Sequence, residues 1–304
     1  MSGLPISLCV CTYRRPAALL TLLARLGDQR VRPLELVVVD NDSAGSARAT
    51  VEAAGLPFPA RYAVEPVQNI SAARNRSVAA ARGEWLAFLD DDELPEPDWL
   101  ERLWEASRRH AADAVLAPVV SQLPAQAPDW IARGDFFARR RFATGTVVPR
   151  NEFRIGNALI RKALLDRLHG PFDPEFGLTG GEDSDMLCRF ADLGARIVWC
   201  DEAAVVEPVE HARLTLRWLL MRAWRGGNDH ARHFLAGRFG EVTPAARARF
   251  VARATLQWLA ALALAVLCLP LGRARWAYWL RKAYGNAGKL AALFGRRFEE
   301  YATP

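Results

Sequence analysis

The sequence predicts an α/β fold in which a mostly parallel sheet is covered by helices on both faces. Three observations predict it. Apolar runs of strand length alternate with segments of helical spacing over residues 1–118. Two of these runs are rich in valine or in other residues that favour buried strands, and three of them end in clusters of polar residues. This alternation is typical of parallel sheets, whose ligands lie at the carboxyl ends of the strands.

The first strand is predicted over Leu4–Thr12 and the second over Pro33–Asp40. A helix between them has its apolar side formed by leucines, which are Leu19, Leu20, Leu22, Leu23 and Leu26. A third strand is predicted over residues 61–65. Ser71 is predicted to cap the following helix, which ends near Gly83.

The central stretch is an apolar run over residues 85–89 that stops at Asp90, Asp91 and Asp92. A turn broken by proline follows, and then an amphipathic helix that opens near Pro97. Three adjacent carboxylates repel one another, so the cluster costs stability unless a cation neutralises it. Mg²⁺ and Mn²⁺ take oxygen ligands and share one or two carboxylates with substrate phosphates. The alternative is a solvated acidic turn.

Polar residues at the ends of three strands are expected to face one rim of the sheet. They are Thr12, Tyr13 and Arg14 after the first strand, Asp40, Asn41 and Asp42 after the second, and the three central aspartates. A nucleotide fits such a rim, with Asp40 or Asn41 binding a base, Arg74 a phosphate and the aspartates a bridging metal. Neither the dinucleotide-binding glycine motif nor the P-loop motif occurs in the sequence.

The composition is that of a globular protein with an excess of base. Hydrophobic residues make up 51% of the 304 residues, charged residues make up 24%, and the net charge is +6. The basic residues concentrate toward the C-terminus, which favours an anionic surface or a phosphate-bearing substrate, and no nucleic-acid-binding motif occurs. The five cysteines are scattered, which predicts free thiols in a reducing compartment. The N-terminus has no leader pattern, so we expect a cytosolic active part.

Taken in order, the motifs TYRRP, VVVDNDS, SAARNR and FLDDDELPEPDWL resemble the inverting glycosyltransferases of family 2, which have the GT-A fold. RIGNA and GGEDSD, starting at Arg154 and Gly180, extend this resemblance, which covers residues 6–228. Within the family, the chain most resembles bacterial enzymes that build exopolysaccharide or surface polysaccharide on a lipid carrier.

The resemblance implies a role for each acidic motif. Asp92 matches the family's metal-binding aspartate, and Asp90 or Asp91 would assist around the ribose and the metal, which would be Mn²⁺ or Mg²⁺. Asp183 matches the family's general base, which takes the proton of the acceptor hydroxyl. Gly181 and Glu182 would contact the acceptor. The alternative is that the acidic residues near Asp183 only cap a helix.

Further along the chain, Trp218, Arg222 and Arg225 are similar to the segment with which related enzymes cover the donor diphosphate, and we also assign Trp218 to the acceptor side. The alternative for the two arginines is a solvated basic helix face. His211 is either a third metal ligand or a surface histidine. Asp40-Asn41 departs from the two consecutive acids of many relatives. We therefore expect a UDP-sugar donor, and thymidine and guanosine donors stay open.

The C-terminal part is predicted to associate with a membrane. Residues 254–272 carry no charge, and their length is close to what a bilayer crossing needs. The segment that follows is basic, aromatic and amphipathic, and its cations include Arg281, Lys282, Lys289 and Arg297. Such helices lie among anionic lipid headgroups. The alternative is a helical pair packed against the enzyme or against a dimer partner.

We therefore predict a glycosyltransferase domain over residues 1–235, with a nucleotide-sugar half (1–118) and an acceptor half (119–235). Residues 236–304 would form a helical, membrane-associated segment at the cytoplasmic face of the inner membrane. The predicted reaction moves a sugar from a nucleotide-sugar to a lipid-linked or saccharide acceptor, without nucleic acid. Two alternatives are a processive polysaccharide synthase and a non-catalytic membrane scaffold with this fold. The oligomeric state is not predicted.

Overall fold

The computed structural model describes residues 3–296 and confirms the predicted α/β fold. The strands are β1 (Leu4–Thr12), β2 (Pro33–Asp40), β3 (Ala60–Val64), β4 (Trp85–Asp90), β5 (Leu94–Pro95), β6 (Ala114–Leu116), β7 (Val119–Gln122), β8 (Asn157–Arg161), β9 (Ile197–Trp199) and β10 (Val205–Pro208). The helices are α1 (Pro16–Gly27), α2 (Arg48–Ala53), α3 (Ile70–Ala80), α4 (Trp99–Arg109), α5 (Asp129–Gly134), α6 (Lys162–Leu165), α7 (Glu182–Asp192), α8 (Leu216–Leu235), α9 (Pro244–Leu267) and α10 (Arg273–Leu293).

The central sheet of the described residues has seven strands in the order β3-β2-β1-β4-β8-β6-β9. Its strands are parallel except for β8, which runs antiparallel to both β4 and β6. Strand β1 lies between β2 and β4, with Thr12 beside Asp40 and Cys11 beside Asp90. The three polar strand ends therefore lie side by side at one edge, as parallel pairing requires.

The buried side chains explain why these segments adopt their elements. Leu19, Leu22, Leu23 and Leu26 are buried on one side of α1, at the spacing of an amphipathic helix. The prediction that Leu20 shares this side is wrong, because its side chain is 55% exposed. Its position is one residue after Leu19, which turns it away from the apolar stripe.

The cap of α3 also differs from the prediction. The side chain of Asn69 accepts a hydrogen bond from the Ala72 amide at 3.0 Å and so caps the helix. Ser71 lies inside the helix instead, and its hydroxyl donates to the carbonyl oxygen of Asp173 at 2.8 Å. Helix α3 ends at Ala80, three residues before Gly83.

The described chain divides into two compact units. The first contains residues 3–120 and Arg139–Glu207, and therefore the central sheet. Trp99 is fully buried in this unit, and its indole N–H donates to the Asn157 side chain at 2.9 Å. Because a buried indole needs a polar partner, this bond fixes the start of α4 against β8.

The second unit contains Ser121–Ala138 and residues 208–296, and it is helical. Ile131, Phe136, Leu219 and Ala277 belong to its core. Among residues 3–296 one helix, Pro244–Leu267, is long and apolar enough to cross a bilayer, and 17% of its apolar window is buried inside the protein. The predicted boundary at residue 235 stays a prediction, and Arg297 lies outside the described residues.

We expect acid to destabilise the second unit because of His230. Its ring stacks near Phe239 and Phe250, at centroid distances of 5.1 and 6.0 Å. Burial, followed by the charges of nearby groups such as Lys289, lowers the pKa of His230 to about 4. A histidine with a depressed pKa binds its proton more readily in the unfolded chain. Its stabilising contribution is therefore complete above pH 6.5 and is lost as the pH falls toward 4.

The loss is expected to reach about 3 kcal/mol by pH 4, from the size of the pKa shift. Unfolding midpoints measured between pH 4 and 7 should fall less steeply with acid in His230→Gln than in the parent. The exposed His169 provides the control, since His169→Gln should keep the slope of the parent. Parallel slopes for His230→Gln and the parent would contradict this account.

Candidate active site

The three consecutive aspartates after β4 take different positions at the edge of the sheet. Asp91 is buried, and its carboxylate accepts from the Thr12 hydroxyl at 2.7 Å and from Arg15 at 2.7 Å. Arg15 also donates to Asp92 at 2.8 Å. Burial raises the pKa of Asp91 to about 6, even though Arg15 and Thr12 both act to lower it. The strand ends of β1 and β4 are thus connected through Arg15.

Asp90 is partly exposed and faces a second arginine. Arg74 of α3 donates to its carboxylate at 3.1 Å. Removal from water raises the pKa of Asp90, and so do the nearby carboxylates of Asp92 and Asp183, against the lowering effect of Arg74. Glu93, which is buried, accepts from the Asp90 backbone amide at 3.0 Å and fixes the turn after β4.

Arg74 brings the two acidic motifs together. The same guanidinium that donates to Asp90 also donates to Glu182, at the first position of α7. Burial would lower the pKa of Arg74, but the carboxylates of Glu182 and Asp90 outweigh it and raise this pKa. Arg74 therefore stays charged between the two motifs, although Asp90 and Glu182 are far apart in the sequence.

Asp183 lies in the first turn of α7 with its carboxylate held by backbone amides. Oδ1 accepts from the Ser184 amide at 2.7 Å, and Oδ2 accepts from the Ile155 amide at 3.4 Å. Its side chain is only partly covered. Gly180 and Gly181 precede it with φ values of 79° and 94°, which side-chain-bearing residues rarely adopt. These glycines allow the chain to turn sharply into α7, which presents Asp183 next to β8.

Further charged side chains lie around this cluster in the first unit. Burial lowers the pKa of Arg154, and so does the charge of Arg139, whereas Glu152 and Asp183 act in the opposite direction. Arg139 pairs with Glu207 at 2.7 Å. The cluster is thus a set of alternating carboxylates and guanidinium groups rather than an isolated acidic patch.

The residues present fit a divalent cation that is shared with a substrate. In residues 3–296, no three or more His, Cys, Asp and Glu side chains are grouped so as to hold a metal ion alone. Asp90 and Asp92 raise each other's cost of ionisation, and their carboxylate oxygens are the donors that Mg²⁺ and Mn²⁺ prefer. Such ions commonly bind through one or two carboxylates together with substrate phosphates.

The other predicted residues of the first unit have varied surroundings. Asp40 is fully buried and accepts from the Ala47 amide and the Tyr62 hydroxyl, both at 2.8 Å. Asn41 donates to two backbone carbonyls and accepts from the Asn69 amide at 2.9 Å. Arg14 has a φ of 54° and pairs with Asp42 at 3.5 Å, and it also lies over the Tyr13 ring.

The predicted residues Trp218, Arg222 and Arg225 belong to α8 of the second unit. Arg222 lies 5.1 Å from the centroid of the Trp218 ring, and Trp218 stacks on Phe137 at 5.5 Å. Arg225 faces Asp229 at 4.0 Å. His211 begins a 3₁₀ turn and is exposed.

Sequence reasoning missed Arg15, Glu93 and Arg154 as members of the cluster. Arg15 and Glu93 stand directly beside predicted site residues, so adjacency to the TYRRP and DDD motifs was an available signal. For Arg154 the available signal was its place at the start of RIGNA, a motif that already carried the resemblance.

The comparison with protein families gives the same assignment. The model of "Glycosyl transferase family 2" matches residues 7–168. The chain belongs to this family. As a family 2 member it is a glycosyltransferase, and both the predicted family and the predicted enzyme class are confirmed.

Among the relatives of this glycosyltransferase is the succinoglycan biosynthesis protein ExoM of Rhizobium meliloti (strain 1021). The two are 38% identical over 98% of this chain and 96% of ExoM. A glucosyl-dolichyl phosphate glucuronosyltransferase of Haloferax volcanii is 26% identical over 73% of this chain and 75% of that protein.

Solved structures support the same fold. The mannosyltransferase PcManGT from Pyrobaculum calidifontis, in complex with GDP-Man and Mn²⁺, has a TM-score of 0.66 and 20% identity, over 97% of this chain and 88% of that chain. S. aureus TarS 1-349 in complex with UDP has a TM-score of 0.54 and 18% identity, over 96% and 92% of the respective chains. At these identities the likeness concerns the fold.

Proposed function

We propose that this family 2 enzyme is a metal-dependent, inverting glycosyltransferase that uses a nucleotide-sugar, preferably a UDP-sugar. The acceptor would be a lipid-linked or free saccharide in the synthesis of exopolysaccharide or cell-surface polysaccharide. The observation that carries the proposal is the position of Arg74 between Asp90 and Glu182, which brings the predicted metal-binding motif next to the predicted base. An inverting transfer needs both groups around one sugar.

In this reaction Asp183 acts as the general base. The acceptor hydroxyl oxygen attacks the anomeric carbon as the bond from that carbon to the diphosphate oxygen breaks, and the hydroxyl proton goes to the Asp183 carboxylate. The amides of Ile155 and Ser184 orient this carboxylate, and its partial exposure leaves room for an acceptor. Attack opposite the leaving group inverts the anomeric configuration. Gly181 and Glu182 would border the acceptor.

The leaving diphosphate would lie at the strand ends of β1 and β4. Asp90 and Asp92 would hold Mn²⁺ or Mg²⁺, which would neutralise the negative charge that develops on the diphosphate. Arg15 and Arg74 already pair with these carboxylates and keep them ordered before the donor binds. Their guanidinium groups are also suited to phosphate oxygens.

The remaining predicted contacts complete the donor and acceptor sites. Tyr13, Arg14 and Asn41 would border the nucleoside, with Asp40 supporting the loop around Asn41 through its buried hydrogen bonds. From α8, Arg222 and Arg225 would contact the diphosphate and Trp218 the acceptor sugar, because aromatic rings stack on the apolar faces of sugars.

A lipid-linked acceptor and a place at the cytoplasmic face of the membrane have two supports. One helix of the described chain, α9, exposes large apolar side chains, among them Leu256, Leu259 and Val266, at 67%, 52% and 64%. The names of two relatives refer to succinoglycan biosynthesis and to a dolichyl phosphate, respectively. An amphipathic attachment would keep the enzyme near lipid-borne acceptors and raise their local concentration.

A screen of nucleotide-sugars tests this function directly. The purified full chain should hydrolyse one nucleotide-sugar slowly when Mn²⁺ is present and lose this activity in EDTA, and UDP release is the readout. A catalytically inactive scaffold would release no UDP from any donor. With a lipid-linked acceptor, mass spectrometry should show the addition of one sugar, whereas a long polymer would indicate a processive synthase.

A further inference from the structure

A cavity in the second unit carries an unusual concentration of positive charge. It has a volume of about 370 Å³ and lies between α8 and α10. Glycines allow these helices to approach closely: a Cβ atom at Gly227 would collide with the carbonyl oxygen of Gly285, and one at Gly288 with that of Trp224. Side chains on either side of this close contact define the cavity.

Four cationic side chains line the cavity, namely Arg222, Arg281, Lys282 and Lys289. No carboxylate among the described residues lines it, and Arg281, Lys282 and Lys289 form no ion pair in that part of the chain. Like charges concentrated in a partly buried space repel one another. The cavity is therefore electrostatically suited to an anion with more than one charge.

Neutral groups hold these cations in place. Arg281 donates to the Phe136 carbonyl oxygen at 2.7 Å, and Lys289 donates to the Asn286 side chain at 3.1 Å. The Lys282 ammonium lies 5.5 Å from the centroid of the Tyr278 ring. Burial lowers the pKa of Lys289, and the nearby charges of Arg253 and Lys282 add to this effect. Carbonyl, amide and ring partners leave the positive charges uncompensated, so a bound anion would relieve a cost that the empty pocket carries.

The surroundings of the cavity favour a phosphate that is attached to a lipid. Helix α9 packs beside α10 in the same unit and exposes apolar side chains over its second half and the turn that follows. Lys and Arg side chains recognise phosphate groups through charge-assisted hydrogen bonds. A molecule with a hydrocarbon chain and a diphosphate would use the apolar surface and the cationic cavity together.

We propose that this cavity binds the diphosphate of a prenyl-linked molecule and so positions a lipid-borne acceptor on the second unit. The inference rests on the lipid-linked acceptor of the proposed function, and it assigns the group that recognises it. Its chemistry is that of a diphosphate ester, which a prenyl lipid or a nucleotide could supply, and the exposed apolar surface of α9 favours the lipid.

Binding of farnesyl diphosphate to the full chain tests the proposal, with calorimetry as the readout. Lys282→Gln combined with Lys289→Gln should weaken this binding about tenfold or more, because two charge-assisted contacts are lost. Arg247→Gln combined with Arg249→Gln removes the same charge from exposed positions of α9 and should change the affinity less than about twofold. UDP with Mn²⁺ should bind equally to all three proteins.

Two results would overturn the proposal. One is equal affinity of the Lys282/Lys289 double variant and the parent for farnesyl diphosphate. The other is a loss of UDP binding in that variant as large as its loss of farnesyl diphosphate binding, which would make the cavity a nucleotide site. Lys282→Arg with Lys289→Arg should retain binding and so separates charge from misfolding. A parent that binds farnesyl diphosphate but turns over no nucleotide-sugar would refute the proposed reaction while leaving this site intact.

Discussion

Asp183→Asn is expected to reduce sugar transfer by about three orders of magnitude, since that is the usual contribution of a positioned general base. The amide is nearly isosteric with the carboxylate and can still accept from the Ser184 and Ile155 amides. Only the capacity to take a proton is lost. The measurement is the initial rate of transfer at saturating donor, together with the Kd for UDP in the presence of Mn²⁺. We expect the rate to collapse while the Kd stays within about twofold of the parent value.

Asp192→Asn is the matched control for this experiment. Asp192 stands at the other end of α7, where it is exposed and pairs with Arg150 at 2.7 Å. Removing its charge should leave the transfer rate close to that of the parent, because exposed ion pairs contribute little. Equal turnover by Asp183→Asn and the parent would refute the assignment of the base and would direct attention to Glu182.

The strands and helices of the first unit could be predicted because local pattern and burial agree there. The apolar runs of β1, β2 and β4 are buried nearly throughout, so their composition alone identifies them. The predicted first two strands have the same bounds in the structure. The antiparallel insertion of β8 between β4 and β6 was not predicted. Its pairing depends on contacts distant in sequence, which no local pattern encodes.

The candidate site was predictable as a set of strand ends and much less as a set of contacts. Whether Arg14 or Arg15 faces the aspartates depends on the turn after β1. Arg14 takes a positive φ there, which turns Arg15 toward Asp91 and Asp92. The pair between Arg74 and Glu182 joins positions far apart in the chain. Such a pairing follows from tertiary packing, so the sequence indicates the two motifs but not the residue that connects them.

The capping of α3 illustrates the same limit at short range. Asn69 and Ser71 are both good capping residues, so propensity does not choose between them. The structure uses the Ser71 hydroxyl for a hydrogen bond to the distant Asp173 carbonyl and leaves the cap to Asn69. A hydroxyl that is committed to a tertiary contact is unavailable for local capping.

Asp92→Ala is expected to weaken donor binding and catalysis together, by about a hundredfold or more in kcat/KM, because a metal-stabilised charge is worth several kcal/mol. The change removes one proposed metal ligand and also the partner of Arg15, which keeps its bond to Asp91. Arg15 is then free to contact the diphosphate directly, so some UDP affinity should remain without metal. Calorimetric titration with UDP, with and without Mn²⁺, separates these contributions. In the parent Mn²⁺ should tighten UDP binding, and in Asp92→Ala it should have little effect.

Glu96→Gln provides the control for Asp92, since Glu96 is an exposed acid a few residues along the same turn. It should retain both the activity and the metal dependence of the parent. The pattern expected for Asp92→Ala differs from that of Asp183→Asn, in which donor affinity persists and only turnover is lost. This contrast follows from the separate tasks of the two motifs, one holding the leaving group and the other receiving a proton. Unchanged Mn²⁺-dependent UDP binding in Asp92→Ala would remove Asp92 from the metal site and leave Asp90 as its principal ligand.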